Sequence, residues 1–489
     1  MTSDHETWLL TPAAMGRADL AAARSGIDSF GLMEKAGQAV AAAVLRLLPG
    51  AERYVVLCGP GNNGGDGYVA ARALADAGAE VAVFCLGEPG RLKGDAAMAF
   101  ARCAIAGEAL DRYEPRPGDA VVDAIFGAGL DRPVPHVVAE VIARVAAAGL
   151  PVISVDLPSG LNGRTGRVLG AAFAACHTVA FMALKPGHVL MPGRSLCGET
   201  EVYDIGIPLR IIAAEAGPAE LNTPAAWAGL LPEPQAEAHK FRRGHLTVFS
   251  GPTAATGAAR LSAAAGLRSG AGLVTIASPM DALAINAAQL TAVMLKAVDD
   301  VAALSAYLED ARHNAFVLGP GFGVGEKARD FSLALKERRL VLDADGITAF
   351  RDNPDALFDA FSAGETRLVL TPHEGEFTRL FPDIAGDESR SKIDMALAAA
   401  ARCHAVVVYK GPDTVIAAPD GRALVNINAP PSLATAGSGD VLAGIIGGLL
   451  AQGKPAFEAA AAGVWHHGEA AARAGRGLTA EELIKHIEL

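Results

Sequence analysis

Residues 54–76 read YVVLCGPGNNGGDGYVAARALAD, a β-branched run, a glycine-rich turn and an alanine-rich stretch in immediate succession. YVVLC has the unbroken apolar character of a strand covered on both faces, as strands of parallel sheets are. YVAARALADAG carries its apolar residues at helical spacing and reads as the helix that crosses back. Glycines between such a strand and helix let the backbone approach an anion, and the unpaired amides of the helix start favour it. The stretch is therefore the first unit of an open α/β sheet, with a ligand site expected at its turn.

The same rhythm continues outward through EVAVFCL (80–86), AVVDAIF (120–126), PVISVDLP (151–158) and HTVAFMAL (177–184). It stops between Pro208 and Lys240, where Pro208, Pro218, Pro224, Pro232 and Pro234 gather with little strand periodicity. A domain boundary is expected there, dividing the chain into residues 1–225 and 235–489. The rhythm restarts at HLTVFSG (245–251) and runs through GLVTIAS, AFVLGPG, RLVLDADG, TRLVLTPH and AVVVYKG to a glycine-rich helix start near Gly437. The halves share no motif order, so duplication is not supported.

At 489 residues the chain exceeds what one hydrophobic core ordinarily serves. A net charge of −12 excludes a general binder of nucleic acid, which needs clustered Lys and Arg. Six cysteines fall without a CxxC pair, several inside apolar runs, which fits a reducing cytoplasm. The N-terminal stretch lacks a basic segment followed by a long apolar one, and no apolar run reaches membrane-spanning length, so neither targeting nor a membrane is expected.

Three loops follow strands of the first half: Gly59 to Gly67, Asp123 with Gly127-Ala128-Gly129-Leu130-Asp131-Arg132-Pro133, and Asp156-Leu157-Pro158-Ser159-Gly160. In an open parallel sheet such strand ends share one edge, where ligands settle. Asp66 inside the first loop would repel a pyrophosphate, so plain phosphate cradling is not the whole reading. PGNNGGDG, VDAIFGAG and VDLPSG in this order resemble the NAD(P)HX epimerase domain over roughly residues 10 to 210, a Rossmann-like three-layer domain. The resemblance implies that Asn62, Asn63, Gly64, Gly65 and Asp66, Gly127 to Pro133, and Asp156 contact the hydrated dinucleotide. It further implies a potassium ion on Asn63, Asp123 and Ser159, whose hard oxygens suit it, although turns favour the same residue types. Asp156, a carboxylate at a strand end, is the acid/base candidate. Lys185 in MALKPG closes a strand, where it could face the site but where lysine is ordinarily solvated, and it is not assigned to the site.

In the second half ATAGSGDVLAG (434–444) places a small-residue turn before an apolar helix. Bare amides there suit a phosphate, and Asp440 is placed to take a proton from an attacking hydroxyl. The motif resembles the anion hole of ribokinase-like kinases. With Thr256-Gly257-Ala258-Ala259, Gly319-Pro320-Gly321-Phe322-Gly323, Thr371-Pro372-His373-Glu374-Gly375-Glu376 and Lys410-Gly411-Pro412-Asp413-Thr414, it resembles the NAD(P)HX dehydratase domain over roughly 235 to 485. By that resemblance Lys410, Gly411, Pro412, Asp413, Thr414 and Gly439 hold the adenylate of ADP, while Ala258, Gly321, Gly323, His373 and Asp440 face the hydrated dinucleotide. The tract NAPPSL (428–433) departs from the glycine-rich form associated with that family.

The reading that follows is a bifunctional repair enzyme that epimerises R- and S-NADHX and NADPHX and dehydrates one epimer with ADP and Mg²⁺. Asp440 would deprotonate the ring hydroxyl for attack on the terminal phosphate, whose elimination restores the ring. A homo-oligomer in the cytoplasm is expected. AGSGD alone also suits a small-molecule kinase with an accessory domain, and the acidic first-half loops suit a nucleotide-binding regulator. A dehydrogenase reading of GPGNNG leaves TPHEGE and AGSGD unexplained.

Overall fold

A computed structural model describes residues 7–230 and 243–489. The chain divides into two compact units, Met1–Ala219 and Glu220–Leu489. Pro232 and Pro234 of the expected boundary lie outside the described residues.

The strands of the first unit are β1 (Arg53–Cys58), β2 (Val81–Cys85), β3 (Gly107–Ala109), β4 (Asp119–Ala124), β5 (Val152–Val155), β6 (His177–Phe181) and β7 (Glu199–Tyr203). They form one parallel sheet in the order β3-β2-β1-β4-β5-β6-β7. Strand alternation explains the layers. Tyr54, Val56 and Cys58 enter one buried cluster, whereas Val55 and Leu57 enter a second cluster with Val138, Val141 and Val145. Fully burying each such side chain contributes about 1.5–3 kcal/mol, so a strand apolar on both sides is stable only between two helical layers. The order in which strands are added to the sheet reverses between β1 and β4, which opens a crevice at their carboxyl ends.

The second unit contains β9 (His245–Phe249), β10 (Leu273–Ser278), β11 (Met294–Ala297), β12 (Ala315–Leu318), β13 (Arg339–Leu342), β14 (Leu368–Leu370), β15 (Val406–Tyr409), β16 (Val415–Ala417) and β17 (Ala423–Val425). With β8 (Ala219–Leu221) they make a ten-stranded sheet, β11-β10-β9-β12-β13-β14-β15-β16-β17-β8. It is parallel from β11 to β15 and antiparallel from β15 to β17. Its reversal point lies between β9 and β12. The proline-bearing tract is thus more ordered than its composition suggests: Leu209–Glu215 is helical and Ala219–Leu221 is a strand.

The glycine-rich turn of the first unit is a second difference. The helix begins at Asn62 and runs to Asp76, so NNGGDG forms its first turns and only Gly59 to Gly61 remain as loop. The glycines serve close packing there. A Cβ on Gly64 would stand 2.0 Å from Gly59 O, one on Gly65 2.6 Å from Met33 Cε, and one on Gly67 2.6 Å from Ala124 Cβ.

Candidate active sites

In the first unit the ends of β1, β4 and β5 surround a cavity of about 610 Å³. Asn62, Asn63, Asp66, Gly127, Ala128, Gly129, Leu130, Asp131, Arg132 and Asp156 line it, as do Asp19 and Lys185. Gly64 and Gly65 are buried in the helix packing, and Pro133 lies outside the cavity. Asp123 and Ser159 sit behind its wall: Ser159 donates to Asp123 through both its amide and its hydroxyl, and Ser154 Oγ donates to Asp123 Oδ2 at 3.0 Å. Burial pushes the Asp123 carboxyl up to about 6 against those hydrogen bonds.

Asp156 occupies a left-handed backbone conformation, φ 61°, unusual for a residue with a Cβ. Several partners hold it there. Ala128 N donates to Oδ2 at 2.9 Å, Lys185 Nζ donates to Oδ1 at 2.7 Å, and His188 Nε2 lies 2.7 Å from its carbonyl oxygen. Because His188 Nδ1 accepts from Lys185 N at 2.9 Å, Nε2 carries the proton and donates. Burial followed by the Lys185 charge drives His188 down to about 4, which keeps the ring neutral.

Lys185 is therefore not the solvated strand end expected from sequence. It is 2% exposed, donates also to Phe181 O at 3.2 Å, and is the counter-ion of Asp156. Burial opposes ionisation of Asp156, but the Lys185 charge and hydrogen bond, with the Ala128 amide, hold its carboxyl below the usual range. Asp66 behaves oppositely: burial first, then Asp156 and Asp19, push it well above the usual range. Asp19, on the helix Pro12–Arg24, is also raised by burial, with Lys185 opposing. No local pattern in sequence marks Asp19, Lys185 or His188, because only the parallel register and the helix packing bring them to β5.

In the second unit Gly437, at φ 83°, turns the chain into the helix Ser438–Ala451. That conformation favours glycine. Ser262 Oγ donates to Asp440 O at 2.7 Å, and His467 Nε2 lies 2.9 Å from Ser438 O. The helix lies flush on Gly257–Arg268: a Cβ on Gly444 would stand 2.2 Å from Ser262 O, and one on Gly448 2.7 Å from Gly266 O. Burial, then Asp343, pushes the Asp440 carboxyl up to about 6 while Lys410 opposes.

Around this turn the expected residues divide. Gly321 and Ala258 come together, a Cβ on the former falling 3.4 Å from that of the latter. Gly323 N donates to Asp345 Oδ2 at 2.9 Å. His373 caps the helix Glu374–Leu380, its Nδ1 accepting from Gly375 N and Glu376 N, while its side chain stays 56% exposed. Lys410 Nζ donates to buried Asp343 at 2.8 Å, close beneath Gly439. Thr414 Oγ1 bonds Gly411 within the KGPDT turn, and buried Asp413 pairs with Lys392 at 2.6 Å. Sequence reasoning missed Asp343, the acid of LDADG, because no spacing rule links β13 to the turn at Gly437.

Among the described residues no helix is long and apolar enough to cross a membrane, and no group of three His, Cys, Asp or Glu side chains is placed to hold a metal ion.

Comparison with known proteins agrees with both halves. A family model described as NAD(P)H-hydrate dehydratase matches residues 246–488, and one described as YjeF-related protein N-terminus matches residues 29–187. The bifunctional NAD(P)H-hydrate repair enzyme of Moorella thermoacetica is 38% identical over 96% of this chain and 93% of its own length. The enzyme of the same name from Escherichia coli is 32% identical over 99% and 93%. The solved ADP/ATP-dependent NAD(P)H-hydrate dehydratase of Bacillus subtilis, co-crystallised with ATP and Mg²⁺, is 26% identical, with a TM-score of 0.45 over 55% of this chain and 95% of that one.

Proposed function

This chain belongs to the family of bifunctional NAD(P)H-hydrate repair enzymes, and from that premise we propose how its two sites divide the repair. The first unit interconverts the C6 epimers of NADHX and NADPHX; the second dehydrates one epimer to the reduced dinucleotide at the expense of ADP. The observation that carries this division is that each unit holds a carboxylate tuned for a different task. Asp156 is held ionised by Lys185, and Asp440, without an ion pair among the described residues, is raised to about 6 at the start of a helix that has no side-chain cap. Environments that drive two acids apart in this way commonly mark proton-transfer assignments.

In the epimerase site, Asp156 takes the proton of the C6 hydroxyl as the C6–N1 bond breaks to an open aldehyde and N1 takes a proton from Asp66; N1 then re-attacks the opposite face of the aldehyde, returning its proton to Asp66 while the new C6 oxygen recovers its proton from Asp156. Asn62, Asn63 and the Gly127–Arg132 loop orient the dinucleotide. Potassium is proposed on Asn63, Asp123 and Ser159. The donor set is oxygen-rich: Ser159 Oγ lies by Asp123 and 3.1 Å from Phe126 O, and Asn63 can add its side-chain amide oxygen. Bound there, the ion would supply positive charge to a carboxylate whose ionised form burial disfavours.

In the dehydratase site, Asp440 removes the proton of the ring hydroxyl, which attacks the terminal phosphate of ADP. The P–O bond to the leaving AMP breaks, and elimination of phosphate from C6, with a C5 proton passing to the departing phosphate, forms the C5–C6 double bond that restores the ring. Amides at the start of Ser438–Ala451 stabilise the charge on the transferring group. The residues Lys410 to Thr414 and Gly439 hold the adenylate, while Ala258, Gly321, Gly323 and His373 face the dinucleotide. Mg²⁺, when bound, would be held chiefly by the nucleotide's phosphates and would offset their charge during transfer. The two activities are assigned to separable domains, and because β8 (Ala219–Leu221) completes the second sheet we set the division at Ala219 and Glu220 rather than at the expected 225 and 235. Purified protein supplied with ADP, Mg²⁺ and a mixture of NADHX epimers should restore the absorbance of NADH from both epimers. Recovery of neither would overturn the reading.

A further inference from the structure

The buried carboxylate of Asp343 belongs to none of the roles above. It is 2% exposed at the end of β13, and its Oδ1 accepts from Lys410 Nζ at 2.8 Å. A Cβ added at Gly439 would stand 3.6 Å from that Nζ and 3.9 Å from Asp343 Oδ2, so the pair forms the floor of the turn that carries Asp440. Among the described residues Lys410 makes its ion pair with Asp343 and none with Asp440. We propose that Asp343 is a positioning residue for dehydration: it clamps the Lys410 ammonium beneath the turn, where it flanks Asp440 without pairing with it and leaves that carboxylate free to act as base.

The physical reason is competition for one cation. A free ammonium beside Asp440 would form a direct ion pair, and a paired carboxylate is both occupied and a weaker base. Asp343 prevents this by offering Lys410 a better-buried partner. Burial disfavours the Lys410 charge, but Asp343, Glu376 and Asp440 together keep it protonated, so the clamp persists through neutral pH. The groups that face Asp440 are few. Asp343 comes from the end of β13 and Lys410 from the end of β15; His467, from the helix Ala456–Ala474, reaches Ser438 O and is kept neutral by burial, its affinity for a proton down at about 4.

This inference rests on Asp440 being the base, and the experiment separates the two. In the full-length protein, kcat for dehydration of the preferred NADHX epimer is measured against pH at saturating ADP and Mg²⁺. The series is wild type, Asp343→Asn, Lys410→Met, the double variant, Asp343→Glu and Asp440→Asn, with epimerisation as the check on integrity of the chain. Asp343→Asn should move the acid limb to lower pH by on the order of one unit and lower the plateau. Lys410→Met should move the limb upward, Asp343→Glu should keep it near the wild-type position, and the double variant should fall between the two single ones. An acid limb that stays in place in Asp343→Asn, or moves the same way as in Lys410→Met, overturns the positioning role. If Asp343→Asn does not fold, Lys410→Met decides: a limb at or below the wild-type pH overturns it. Wild-type turnover in Asp440→Asn would instead remove the base assignment itself.

Discussion

Replacing Lys185 with Met removes the ammonium from a pair 2.7 Å long in which the lysine is 2% and the aspartate side chain 19% exposed. The thioether fills much the same volume, so the cost is chiefly that of an uncompensated carboxylate. Breaking a buried pair in this way typically costs about 3–5 kcal/mol. Asp156 keeps the Ala128 amide at 2.9 Å and partial access to the cavity, which places the expected loss at the lower end, about 3 kcal/mol. That is roughly a hundred-fold in the opening equilibrium of the first unit. Amide hydrogen exchange at β5 and β6 reads it directly, because those strands carry Asp156 and lead to Lys185. Epimerisation should fall on the order of 10²-fold or more, as Asp156 loses the group that orients it. ADP-dependent dehydration of the preferred epimer should stay near wild type, and Lys185→Arg should recover part of the loss by restoring charge. Unchanged exchange at β5 together with wild-type epimerisation would refute the argument that this buried pair organises the site.

Four other outcomes are expected. Asp440→Asn keeps the size of the side chain but cannot accept a proton, so dehydration should fall on the order of 10² to 10⁴-fold with ADP affinity and epimerisation retained; calorimetric titration of ADP and a single-turnover assay distinguish loss of binding from loss of chemistry. Since Asp440 must be ionised to act and its carboxyl is raised to about 6, wild-type dehydration should be level above that pH and decline as pH falls through it, which a pH series at saturating substrates would show. Asp156→Ala should slow interconversion of the epimers and leave dehydration of the preferred one intact, measured by chromatographic separation of the two; equal loss of both activities in a folded variant would count against the division of labour. Gly444→Ala places a Cβ 2.2 Å from Ser262 O and should destabilise the second unit by about 1–3 kcal/mol despite alanine's better helix propensity, read from its urea midpoint.

Two α/β units, their strand-helix rhythm and the three loops at one sheet edge were legible in the sequence because strands buried on both faces must be apolar throughout and the turns that serve them need small residues. Asp156 and Asp440 were legible for the same reason, each standing at the end of a strand or the start of a helix beside glycines. Short edge strands were not: β3, GEA, and β7, ETEVY, are exposed or partly so and carry no apolar run. The start of the helix at Asn62 was hidden because glycine content suggests a loop, whereas here the glycines admit Gly59, Met33 and Ala124 at distances no Cβ would allow.

What the linear chain determined was which residue types stand at the ends of its strands. Which charges meet there was decided only by tertiary structure. Lys185 lies 29 residues from Asp156, and Asp343 lies 67 from Lys410. Neither pairing follows from any local period, since it depends on which strands become neighbours and in what register. Burial then does the rest, because the same carboxyl is an ordinary surface acid in water and, once enclosed, takes its protonation from the one or two charges packed against it.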